Sequence, residues 1–157
     1  MAINFLIKAL NMDIFYEYML KDDEELSFSH ASWLTVDATP GYPCRVSLTD
    51  AKIGENVLVV SFCHHNVSSP YRAYGAIFVR EKATMAVLDI NEVPEMLRCR
   101  ILSIRAYNAE TFMIGAEVIS GEKLEFAIDR QFQNRDVEYI HIHNANPGCF
   151  NCSVYRA

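Results

Sequence analysis

The sequence contains no run of lysines or arginines anywhere in its 157 residues, and its formal net charge is −6. Nucleic-acid binding needs a concentrated positive surface to neutralise phosphates, so that class loses support at the outset. No stretch approaches the ~20 consecutive apolar residues of a membrane helix. The first ten residues are apolar, but they include Asn4 and Lys8 and lack a basic leader and a small-residue cleavage site; they do not read as a secretion signal. The chain also lacks a phosphate-cradling glycine-rich loop, a dinucleotide fingerprint, a Gly-x-Ser-x-Gly elbow and a His-Glu-x-x-His helix. These absences take support from the best-marked enzyme classes, leave convergent sites open and leave the cofactor unassigned. Linkers, internal repeats and low-complexity segments are missing too, and this length predicts one domain over residues 1–157.

What is present is enough for a full core. Apolar residues make up 51% and charged residues 22%, an ordinary globular balance. Five cysteines (Cys44, Cys63, Cys99, Cys149 and Cys152) are an odd number in a chain that needs no staples. The expectation is reduced thiols and a cytoplasmic location. Nine of the fourteen basic residues are Arg, whose planar fork of donors suits carboxylate or phosphate. Surface ion pairing explains the same bias. Nothing in the sequence fixes the oligomeric state.

Residues Ile3 to Ala9 read as a first strand. Asn11 then caps a helix through Lys21, with Ile14, Tyr18 and Phe15, Met19 at i, i+4 spacing on an apolar face. The acidic run Asp22-Asp23-Glu24-Glu25 reads as a solvated turn after that helix. Trp33 to Val36 is a short strand, and Pro40-Gly41-Tyr42-Pro43 a strong turn. Arg45 to Leu48 alternates like a strand. Asn56 to Phe62 is a continuous apolar strand, expected to be central. Cys63 to Pro70 reads as a polar loop and Gly75 to Arg80 as a strand. Pro94 opens a short helix through Arg98. Ile101 to Tyr107 and Phe112 to Ile119 are strands, and Gly121 to Gln131 an amphipathic helix. In Val137 to Asn144, Ile140 and Ile142 alternate with Tyr139, His141 and His143. A last strand lies near Ser153 to Arg156. Roughly eight strands and two to three helices without regular alternation predict an α+β fold with a largely antiparallel sheet, flat or curled into a half-barrel.

Four stretches together carry a resemblance. They are Pro40-Gly41-Tyr42-Pro43-Cys44-Arg45-Val46-Ser47-Leu48; Ser69-Pro70-Tyr71-Arg72 leading to Gly75 and Ile77-Phe78-Val79; Arg105-Ala106-Tyr107; and His141-Ile142-His143-Asn144-Ala145 followed by Gly148-Cys149-Phe150. In order and spacing they resemble a bacterial family catalogued as domain of unknown function 1203, over essentially the whole chain. One departure is visible: Tyr74-Gly75-Ala76-Ile77-Phe78-Val79 lacks the proline usual before Ile-Phe-Val. The resemblance implies a shared fold and a shared site, and brings no activity with it.

Two constellations bear chemistry. His141, His143, Cys149 and Cys152 offer four ligand types that zinc accepts, with the two histidines on one strand face. Against zinc, one Cys-x-x-Cys alone is not a usual structural signature, and two small buried thiols beside a His pair account for the same residues. A redox pair usually has its first thiol at a helix N-terminus, and here a strand follows. The second constellation needs tertiary folding: Cys44, Arg45, Ser69, Tyr71, Arg72, Arg105, His143, Asn144 and Cys149. If these strand ends meet, they form a pocket for a small anionic ligand. There Arg45, Tyr71, Arg72, Arg105 and Asn144 hold the ligand, and Cys44 or Cys149 acts as nucleophile with His141 or His143 as base. The competing reading is a non-catalytic interaction or structural domain in which Arg45 and Arg105 are paired inside and fix the sheet. His64-His65 reads as a pair of exposed loop residues.

Overall fold

The structure, a computed structural model, describes residues 2–157. Eight strands form two antiparallel sheets, and neither closes into a barrel. The first sheet has five strands in the order β1-β8-β7-β5-β6: β1 (Phe5–Lys8), β8 (Phe150–Arg156), β7 (Tyr139–Asn144), β5 (Ile101–Tyr107) and β6 (Met113–Ser120). The second has the order β2-β3-β4: β2 (Ala31–Thr35), β3 (Asn56–His65) and β4 (Ala73–Arg80). The fold is therefore α+β and antiparallel, and the apolar β3 is central as expected. The helices are short: α1 (Tyr16–Met19), α2 (Asp23–Phe28), α3 (Glu95–Arg98) and α4 (Leu124–Phe132). Among the described residues no helix is long and apolar enough to cross a membrane.

The period-two patterns place the main core. Leu102, Ile104 and Ala106 of β5 and Ile140 and Ile142 of β7 face Leu124, Ala127, Ile128 and Phe132 of α4. Gly121, just before α4, lies so close to α3 that a Cβ there would stand 1.8 Å from the Leu97 carbonyl oxygen. A second core joins Leu58, Val60, Ile77 and Val79 to Phe15 and Leu26.

Four local expectations are corrected. The helix expected from Asn11 to Lys21 is a 3-10 turn over Met12–Ile14 followed by α1. Phe15 is fully buried, whereas Ile14 faces solvent. The acidic run is not a turn. Asp22 accepts from the Glu25 N–H at 2.8 Å and the Glu25 carboxylate accepts from the Asp22 N–H at 3.4 Å, a capping box that starts α2. Arg45 to Leu48 is a turn, not a strand. The Leu48 N–H returns to the Cys44 carbonyl at 3.0 Å, with Leu48 in the left-handed region at φ 51°. Arg45, Val46 and Leu48 are all buried there, which a strand with one face in water would not give. Finally, β3 does not stop at Phe62. A register shift between Phe62 and His65 carries the strand on to His65, over the face of β7 that the α4 core leaves uncovered.

Candidate functional site

The Pro43–Asp50 turn folds against β4, where the Arg45 N–H donates to the Phe78 carbonyl at 3.1 Å. This drives the Arg45 side chain inside, where it is fully buried. Its Nε donates to the Phe150 carbonyl at 2.6 Å and Nη1 donates to the Pro43 carbonyl. Nη2 has no protein partner. The guanidinium lies 5.8 Å from the Phe78 ring centroid and against the Cys149 thiol. Burial pulls its pKa down from the usual arginine range, and the Cys149 and Cys44 sulfurs partly offset this. Among the described residues no carboxylate forms an ion pair with it.

Pro43, Phe78 and Cys149, the residues this guanidinium touches, form one wall of a cleft of about 390 Å³. Arg100, Asn144 and Asn146 complete its polar lining. Arg100 is neutralised by Asp50, which accepts from both of its terminal nitrogens at 2.9 and 2.6 Å. Asn144 is fixed: its Nδ2 donates to Cys149 Sγ at 3.4 Å and its Oδ1 accepts from Asn151 at 2.8 Å. Across Asp50 lies a larger depression of about 650 Å³, whose walls include Leu48, Leu88, Met96 and Cys99; none of the site residues expected from the sequence lines it.

Behind this cleft, the two sheets meet through a layer of imidazoles and aromatic rings. Neighbouring strands present Arg105 opposite His141 and Ser103 opposite His143. The end of β3 lays His64 and His65 on top. His64 stacks on Phe150, with centroids 5.4 Å apart and planes 6° apart, and meets His143 edge to face at 5.0 Å. His65 is held on both sides: Nδ1 donates to the Tyr71 carbonyl at 2.8 Å, so Nε2 accepts from the Tyr139 hydroxyl at 2.5 Å. Burial is the main cause that holds His64, His141 and His143 well below the usual imidazole value, at about 4, 2 and 3. The Arg105 charge adds to this at all three. Burial also pushes the Tyr139 phenol up to about 12.

The expected residues thus divide. Arg45, Asn144 and Cys149 gather at the cleft. Arg105, His141 and His143 gather at the layer behind it, and Tyr71 joins that layer through ring contacts with Tyr107 and Phe112. His143 lies within the field of both Arg45 and Arg105, so it links the two. Arg72 joins neither: it is exposed and donates to Asn66 and to the Tyr74 hydroxyl, each at 2.6 Å. Cys44 is fully buried, its sulfur accepting from the backbone N–H of Ser47 and of Arg80. Cys152 packs in the α4 core with Ile142 and Val154, on the opposite face of the sheet from His141 and His143. The four-ligand zinc set of His141, His143, Cys149 and Cys152, which the sequence offered without favouring, is therefore not assembled. Sequence reasoning missed His64 and His65, whose position depends on the register shift at the end of β3.

Comparison with curated proteins finds no match, and comparison with solved structures finds none either. One family model does match, over residues 41–156, a span that includes the cleft and the histidine layer. The chain belongs to the family described as protein of unknown function, DUF1203.

Proposed function

We propose that the cleft beside Cys149 binds a small molecule carrying an anionic group, with Arg45 as the fixed positive charge behind its wall. The observation that carries this reading is the guanidinium itself: fully buried, with Nη2 unpartnered and no carboxylate pairing with it among the described residues. Burying a charge without a counter-charge costs several kcal/mol, as an order of magnitude. A low-dielectric wall in front of it also focuses its field into the opening. The cleft volume of about 390 Å³ lies in the range of small-ligand sites. The Asn144 amide, the Cys149 thiol and Phe78 in the lining supply polar and apolar contacts.

The reading is binding rather than turnover. Among the described residues no imidazole hydrogen-bonds to Cys149; the hydrogen bond of His143 Nδ1 goes to the Gly148 carbonyl, at 2.9 Å. Arg45 has a second role in this account, since its two carbonyl bonds tie the Pro43 turn to β8.

Alkylation of native protein by iodoacetamide, followed residue by residue, tests the proposal. Inorganic phosphate or acetate is expected to slow modification of Cys149 severalfold and leave Cys99 unchanged. An unchanged Cys149 rate with both anions contradicts it.

A further inference from the structure

We infer that His64, His141 and His143 bind one divalent transition-metal ion of the zinc type at the junction of the two sheets. One nitrogen from each ring lies within 4.8 Å of the others. In a tetrahedral zinc site, Zn–N bonds of about 2.0–2.1 Å set ligand nitrogens roughly 3.3 Å apart. The rings are therefore gathered to within a short movement of a ligand set, with His64, half-buried at the end of β3, contributed by the other sheet.

The donor chemistry points the same way. His143 gives its Nδ1 hydrogen to the Gly148 carbonyl at 2.9 Å, which leaves Nε2 buried without a protein partner. A backbone carbonyl fixing one nitrogen is how proteins orient an imidazole for a metal on the other. His64 and His141 each have a buried Nδ1 without a protein partner. Three buried ring nitrogens without partners in one contact cluster are costly, and a metal ion is a partner that each ring can take. His65 gives the internal contrast: it lies in the same layer, but both its nitrogens are used.

The set is all nitrogen, with no carboxylate acting on the three rings from the elements packed around them. Imidazole donors favour zinc, copper, nickel or cobalt over calcium and magnesium. Three ligands leave a fourth position open. Arg105 from β5 is the strongest formal charge nearby. It opposes a bare cation and favours an ion that carries hydroxide or another anion in that fourth position. Phe150, stacked on His64 and edge-on to His141 and His143, forms the apolar wall.

The inference is independent of the anion cleft, since Cys149→Ala removes the cleft thiol and leaves the three imidazoles. The test titrates chelator-treated full-length protein with cobalt(II), read by its visible absorption, and then displaces cobalt with zinc. The expected result is one equivalent with a tetrahedral spectrum and no thiolate charge-transfer band. Affinity is retained in the Cys149→Ala, Cys152→Ala double variant and falls by roughly 100-fold or more in His64→Ala. Far-UV circular dichroism checks that variant, and His64→Asn replaces it if the alanine protein does not fold. A thiolate band, unchanged affinity in the His64 variants, or no binding of either metal overturns the inference.

Discussion

The imidazoles of His64 and His143 meet edge to face, with centroids 5.0 Å apart and planes at 82°, although their strands belong to different sheets. This contact marks where the two sheets join. On one side His64, His141 and His143 bring one ring nitrogen each within 4.8 Å of the others, and each ring has a buried nitrogen without a protein partner. On the other, Arg45 reaches the edge of the same cluster from the turn before β3. Two positive side chains, Arg45 and Arg105, thus flank imidazoles that stay neutral at ordinary pH.

Arg45 ties the Pro43 turn to β8 through the Phe150 and Pro43 carbonyls. Lysine keeps the charge but cannot present two donors in a planar fork. Arg45→Lys is expected to lower stability by roughly 2–3 kcal/mol, from the loss of a charged hydrogen bond at a fully buried site. Urea unfolding measures it; an unchanged midpoint would show that the turn is held by its other bonds.

Burial pushes the Cys152 thiol up to about 12, against a lesser opposing pull from Arg45. A raised pKa means less thiolate at every pH below it. At pH 8 only about one thiol in ten thousand is ionised, four pH units below that value. Cys152 and the fully buried Cys44 are expected to stay unalkylated in native protein from pH 7 to 9, while Cys99 and Cys149 react. Mass spectrometry of alkylated peptides checks this, and native labelling of Cys152 would contradict its place in the core.

The capping box at α2 gives a surface prediction. Asp22→Ala removes the acceptor for the Glu25 N–H and is expected to cost about 1 kcal/mol. Because α2 has six residues, the same change is expected to raise amide exchange across Asp23–Phe28. Exchange confined to other segments would count against the cap.

How far the sequence discloses this follows from what its local patterns can encode. In β7 the period-two alternation separates Ile140 and Ile142 from Tyr139, His141 and His143, because one face packs on α4 and the other does not. The clustering of Arg45, Asn144 and Cys149 was also approachable, since the chain turns at Pro43 and again after Asn144. The end of β3 was not. Cys63, His64 and His65 are polar and resemble a loop, and only the facing sheet supplies the rings and carbonyls that let them be buried. The alternation of Arg45 to Leu48 misled for the opposite reason. Val46 and Leu48 are both buried but belong to different cores, a tertiary arrangement that period two does not record. The Cys149–Cys152 spacing suggested a shared site, yet the register shift in β8 before Cys152 sends that thiol to the other face of the sheet.

The positive field of the cleft can be read before any ligand is known, by comparing two reagents at Cys149. Iodoacetate and iodoacetamide attack the same thiolate, so their rate ratio reports the local potential and not the ionisation of the sulfur. The account predicts that the anionic reagent is favoured at Cys149 relative to Cys63, and that the preference falls as salt is raised. A ratio at Cys149 no higher than at Cys63, unchanged by salt, would contradict an anion site built on Arg45.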